Sequence, residues 1–188
     1  MDYLQSSKTL FLYYKMLGEK AIEQLEPEQL NFQINEDSNS ISTIIKHLSG
    51  NMISRWTDFL TSDGEKPDRH RDAEFEHTLL SPDQMMEYWN QGWQTFLNTL
   101  ESLTEADLDR IIYIRNEGHT VMEAINRQLA HYPYHIGQII FIAKAIKSEP
   151  WTSLSIPRNQ SSQYNTGKFS QEKTVRNFTE SEMGRLNN

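Results

Sequence analysis

Thr120-Val-Met-Glu-Ala-Ile-Asn-Arg-Gln-Leu-Ala-His131-Tyr-Pro133-Tyr-His135-Ile-Gly-Gln138 is the stretch from which the fold can be read. Thr120 and Glu123 have the spacing of a capping box, which opens a helix by satisfying its first backbone donors. From there Val121, Ile125, Leu129, Tyr132, Ile136, Ile139, Ala143 and Ile146 hold a helical period to about residue 147, with Glu149-Pro150 as the expected stop. Pro133 removes one backbone donor inside this run and predicts a kink near the two histidines.

Three more amphipathic helices precede it. Leu10, Tyr14, Leu17, Ala21 and Leu25 mark a first helix over residues 2–25, ended by Glu26-Pro27. Ser40 is the expected N-cap of a second over about 41–61, with the stripe Ile41, Ile45, Leu48, Met52, Trp56 and Phe59. Ser81-Pro82-Asp83-Gln84 opens a third, carried by Met85, Trp89, Trp93, Phe96, Leu100 and Leu103 despite Gly92. Residues 61–72 form a long polar loop, and Thr104 to Leu108 one capped turn. Arg110 to Arg115 is a short extended piece, with Asn116-Glu-Gly118 as its turn. Four such helices without a convincing sheet predict an all-α four-helix bundle over residues 1–150. Residues 151–188, rich in Ser, Asn and Gln, are expected to be a non-helical polar arm, extended or partly disordered.

Charge and composition narrow the function. The formal net charge is −8, and residues 151–188 carry +2, which leaves −10 on the first 150. An acidic body lacks the clustered cations that a nucleic-acid surface needs. There is no cysteine, so disulfides, zinc–thiolate sites and an internal thiol nucleophile are excluded. No apolar run approaches a membrane span, and Met1-Asp2-Tyr3-Leu4-Gln5 lacks the basic and apolar regions of a signal peptide, so a cytoplasmic location is expected.

The chemistry concentrates on the histidines. His131 and His135, one helical turn apart, stand on one face, as two imidazoles sharing a metal must. His47 precedes Leu48 as His131 precedes Tyr132 and His135 precedes Ile136, so each lies on the same flank of its helix. His47 is the expected third ligand, although it sits about 120° from the centre of its own apolar stripe. Three imidazoles leave coordination positions open, as in catalytic sites, and suit zinc, nickel, iron or copper. Tyr132 excludes a His-Glu-x-x-His peptidase motif. Asn51, Arg55 and Gln138 are the polar residues expected around the site as substrate contacts. Asp58 and Tyr134 are the expected base or proton shuttle if the site hydrolyses its substrate. Arg69 and Arg71 read as a solvated loop pair, and His70, His77 and His119 as ordinary surface residues.

Lys46-His-Leu-Ser-Gly-Asn-Met-Ile-Ser-Arg-Trp-Thr-Asp-Phe-Leu60, together with Glu65-Lys-Pro-Asp-Arg-His-Arg-Asp-Ala-Glu-Phe-Glu76 and His131-Tyr-Pro-Tyr-His-Ile-Gly-Gln138, resembles the DinB/YfiT-like superfamily, in an uncharacterised subfamily found in bacilli. The resemblance covers about residues 1–150 and reaches into Trp151 to Arg158. It implies an up-down-down-up bundle, often a homodimer, holding a divalent metal such as zinc or nickel through His47, His131 and His135. It further implies thiol-dependent S-transferase chemistry on a small-molecule thiol, bacillithiol-like, and an electrophile. A hydrolase using metal-activated water and a non-enzymatic dimeric bundle are the competing readings. The missing cysteine agrees with an external thiol, whose carboxylates would need a cationic contact; Arg55 is a candidate.

Overall fold

The computed structural model describes residues 2–147 and 150–186. It is mostly helical: α1 (Tyr3–Ile22), α2 (Ile41–Trp56), α3 (Arg71–Phe75), α4 (Pro82–Ser102), α5 (Val121–Ile146), α6 (Ser161–Phe169) and α7 (Phe178–Leu186), with a hairpin of β1 (Ile111–Ile114) and β2 (Glu117–Thr120) before α5. Short 3-10 turns occupy Pro27–Asn31 and Glu105–Asp107. Among the described residues no helix is long and apolar enough to cross a membrane.

The helix starts follow local chemistry. Ser40 accepts from the Thr43 amide, while Ser81 with Gln84 and Thr120 with Glu123 form reciprocal capping boxes, each satisfying donors that a helix N-terminus leaves unpaired. The ends were less legible. The second helix stops at Trp56 rather than continuing to residue 61, because Thr57 is extended and Asp58 adopts φ 49°. The fourth runs as helix through Pro133 to Ile146; Glu149, expected to help end it, lies outside the described residues.

The core lies between α2 and α4 on one side and α1 and α5 on the other. Phe11, Trp56, Trp93, Phe96 and Tyr132 form its aromatic centre, with the Phe96 ring 4.5 Å from Phe11 and 5.2 Å from Tyr132, both edge-on. Two of its buried polar tips are paired, Trp56 Nε1 donating to Tyr132 Oη (2.9 Å), which donates to Asn51 Oδ1 (3.2 Å), while Trp93 Nε1 has no partner among the described residues. Gly92, costly to helix propensity, is needed here. A Cβ on it would lie 2.8 Å from Ser49 Cα, so its absence lets α2 and α4 approach.

Two expectations need correction. Residues 111–120 form a two-stranded antiparallel sheet rather than an extended piece alone, and the turn is at Arg115 and Asn116, not at Asn116-Glu-Gly118. Both turn residues have positive φ (56° and 62°), the backbone of a two-residue hairpin whose twist matches its strands. The Asp63 carboxylate stabilises that turn by accepting from the Arg115 and Asn116 amides (2.8 Å each), tying the 57–70 loop to the hairpin.

The C-terminal arm is also not non-helical, since it contains α6 and α7. Helix α7 packs on α1, with Thr179 and Glu182 buried and Phe178 edge-on to Tyr13. Glu182 accepts from Tyr164 (2.6 Å) and Arg185 (3.0 Å). Met183 and Leu186 of α7 are partly buried against the core. The segment of the arm before α6 is tied down by Gln24, which exchanges two hydrogen bonds with the Thr152 backbone.

Candidate metal centre

Helix α2 presents His47 and Asn51 toward the face of α5 that carries His131, Tyr132 and His135. Contacts that step forward along α2, from His47 to Asn51 to Trp56, meet α5 at His135 and His131 and then Tyr132. The three imidazoles converge. His131 Nε2 lies 3.1 Å from His135 Nε2 and 3.4 Å from His47 Nε2. One ligand atom from each histidine falls within 4.8 Å of the others, the one such group found among the described residues. His47 and His135 are buried, and His131 is partly exposed.

The opposite edge of each ring is held by an oxygen acceptor. His47 Nδ1 meets Glu74 Oε2 (2.9 Å), His131 Nδ1 meets Gln128 Oε1 (3.2 Å), and His135 Nδ1 meets Gln138 Oε1 (2.8 Å). Such oxygens accept only, so each Nδ1 must carry the hydrogen, and each Nε2 then turns a lone pair toward the common centre. Three facing lone pairs repel one another unless a cation or a proton stands between them. Metal-ligating histidines are held in this way, by a carboxylate or amide oxygen behind the ring. The donor set therefore fits a divalent cation.

Charge agrees with geometry. Burial, then the neighbouring charges of His135 and His47, push the His131 pKa down to about 3. Burial also lowers His135, against the opposing hydrogen bond to Gln138. Both rings are thus neutral near pH 7, the form that ligates.

Glu74, on α3, is the residue of the candidate site that the sequence did not disclose. It is buried and gripped by Arg69 through two parallel bonds, Nε to Oε1 (2.8 Å) and Nη2 to Oε2 (2.9 Å). Burial alone would raise its pKa, but the hydrogen bonds and charges of His47 and Arg69 outweigh that and hold it below the usual carboxylate value. Arg69 is consequently not a solvated loop residue, whereas Arg71 is half exposed and lies over the Phe75 ring (4.9 Å). Phe75 in turn packs on His47 (4.7 Å) and closes the flank that the helical wheel left open. The one hint in the sequence was an acid and an arginine five residues apart, too common a pairing to single out.

The other expected residues separate into two groups. Asn51, Arg55 and Gln138 belong to the α2–α5 region: Asn51 is buried against Tyr132, Gln138 holds His135, and Arg55 is buried one turn beyond Asn51. Tyr134 is exposed, its ring 5.1 Å from that of His135, and with Ile34, Asn39, Gln138 and Phe141 it lines a cavity of about 470 Å³. Asp58 lies past the end of α2 and is exposed; the nine helical steps from His47 to Trp56 alone span about 14 Å. The fold does not bring it to the cluster. His70 and His77 are exposed.

A family model described as "Protein of unknown function (DUF1572)" matches residues 1–160. The chain belongs to that family. The DUF1572 match takes in all three histidines, Glu74, Gln128 and Gln138, and stops just before α6. No curated protein matches the chain.

Proposed function

We propose that this DUF1572 protein is a cytoplasmic metal-dependent enzyme, a thiol-dependent S-transferase whose centre is His47, His131 and His135. The observation that carries the reading is the convergence of three Nε2 atoms whose Nδ1 edges are each held by a side-chain oxygen. Three protein ligands leave positions for a substrate, which distinguishes a catalytic from a structural site. Zinc or nickel is the proposed metal, with iron or copper as further candidates for imidazole ligands. In support of kinship with the DinB/YfiT-like superfamily stands the disposition of α1, α2, α4 and α5, which we read as an up-down-down-up four-helix bundle. A homodimer is part of the same proposal, and light scattering on the full chain tests it.

A divalent cation at this centre supplies Lewis acidity that favours the thiolate form of a bound thiol at neutral pH. The chain's own residues do the rest. The histidine lone pairs fix the position of the cation, while Glu74, Gln128 and Gln138 hold the rings so that they do not rotate away. With no cysteine in the chain, the nucleophile comes from outside, as a small-molecule thiol resembling bacillithiol. Its proton leaves to solvent, its sulfur bonds to the electrophilic carbon, and the leaving group departs with the bonding pair. A hydrolase would need a base beside the open positions. Asp58 is remote and exposed, Glu74 is committed to His47 and Arg69, and Tyr134, with its ring 5.1 Å from that of His135, is the one expected shuttle that stays near the centre.

Zinc-loaded protein incubated with bacillithiol and monochlorobimane should form the thioether faster than the uncatalysed mixture, and a chelator should abolish the excess. No metal-dependent rate above background across several low-molecular-weight thiols would overturn the transferase reading.

A further inference from the structure

Arg55 is 4 % exposed, and its Nε and Nη1 are buried without a hydrogen-bond partner among the described residues. A buried cation is ordinarily paired, because removing it from water is costly. The other charges nearby do not relieve it. Glu65 is shared between Arg69 and Arg115, and Glu74 is taken by Arg69 and His47. Arg127, one turn before His131 on α5, is close enough for its positive charge to act on both Arg55 and His131. The chain as a whole is acidic, so this cationic surplus is local.

Its location gives it meaning. His47, Asn51 and Arg55 follow one another at single-turn spacing along α2, as His131 and Arg127 do along α5. Arg55 therefore lies two turns along α2 from His47, and the exposed Arg127 one turn along α5 from His131, both near enough for their charge to act on His131. The Arg55 stem packs close to Gly64 of the 57–70 loop, where an added Cβ would lie 2.9 Å from Arg55 Cδ. The guanidinium is thus held in place rather than free to swing into water.

We propose that Arg55, assisted by Arg127, binds an oxyanion of the substrate, a carboxylate or a phosphoryl group, beside the three-histidine centre. Guanidinium groups supply several charge-assisted donors to such an anion, and binding satisfies the donors that the fold leaves unpaired. That the anion belongs to the reacting molecule rests on the function proposed above; the anion site itself does not.

The test is carried out on full-length, metal-free protein, so that it is independent of the centre. Guanidinium nitrogen and proton resonances are followed by NMR during titration with acetate and, separately, with inorganic phosphate. The expected result is a saturable shift of the Arg55 Nε resonance. Saturation with acetate assigns a carboxylate, and saturation with phosphate alone assigns a phosphoryl group; either upholds the site. Arg127→Gln, a surface change that leaves the core intact, should weaken that saturation severalfold, and Arg55→Gln should lose it. The absence of a saturable Arg55 shift with both probes, or one equally strong in Arg127→Gln, would overturn the proposal. A zinc titration of the same sample separates the two ideas. Zinc binding without an anion shift sinks only the anion site, and an anion shift without zinc binding sinks only the metal centre.

Discussion

Gly50→Ala is the most searching perturbation of this centre, because it touches no ligand. An added Cβ at Gly50 would lie 2.8 Å from Glu74 Cδ and closer still to Oε1. Carbon atoms in contact ordinarily sit about 3.5–4.0 Å apart, so the carboxylate has to retreat by about 1 Å. The 2.9 Å hydrogen bond from His47 Nδ1 then stretches beyond useful range, as does the paired grip of Arg69. Losing the partner behind a ligating histidine weakens metal binding by about 10- to 100-fold. That is roughly 1.4–2.7 kcal/mol. In the metal-free protein the effects oppose one another. Alanine gains up to ~1 kcal/mol of helix propensity, while a disrupted charged hydrogen bond costs about 1.5–3 kcal/mol, so a net loss of about 1 kcal/mol is expected. Competition for zinc against a chromophoric chelator measures the affinity, and urea unfolding of the metal-free protein measures the stability. Gly137→Ala on α5 is the control: its Cβ would meet nothing within 4 Å, so stability should rise and zinc affinity should hold. If Gly50→Ala behaves like Gly137→Ala, Glu74 does not position His47 and the account of the centre is wrong.

Three further outcomes follow from the same geometry. His47→Ala should leave protein that purifies folded but carries negligible metal by elemental analysis, against stoichiometric metal in the parent; equal and negligible metal in both would refute the centre. The metal-free protein should lose stability as pH falls below the ordinary histidine value of 6.5. The unfolded chain takes up a proton near that value, whereas folded His131 does so only at about 3, giving a slope near 1.4 kcal/mol per pH unit for that one proton. Glu74, also depressed, adds to the loss at lower pH, and urea unfolding at neutral and mildly acidic pH should show the fall. Finally, a chain ending at residue 160 should melt at lower temperature, having lost the α7–α1 contact, yet bind zinc as tightly as the full chain by the same chelator competition.

What the sequence determined by itself was whatever short-range chemistry decides. The starts of α2, α4 and α5 were legible because a cap and its partner lie within one turn of chain, at Ser40, at Ser81 with Gln84 and at Thr120 with Glu123. His131 and His135 share a face for the same reason. The hairpin turn was expected one residue too late because Arg115 and Asn116 owe their left-handed backbone partly to Asp63, which arrives from a distant loop. Helices α6 and α7 escaped notice because the most deeply buried positions of α7, Thr179 and Glu182, are polar and α6 buries none.

Only the tertiary structure decided that His47 is buried beside His131 and His135 rather than facing solvent. By its helical phase alone it belongs at the edge of the core. It is buried because α3 folds back over that edge, setting Phe75 against its ring and Glu74 behind its Nδ1, with Arg69 fixing Glu74 in turn. A helix dictates which of its own residues share a face. Which foreign side chains complete that face depends on where the loop between α2 and α4 returns, and that is settled by packing across the whole fold.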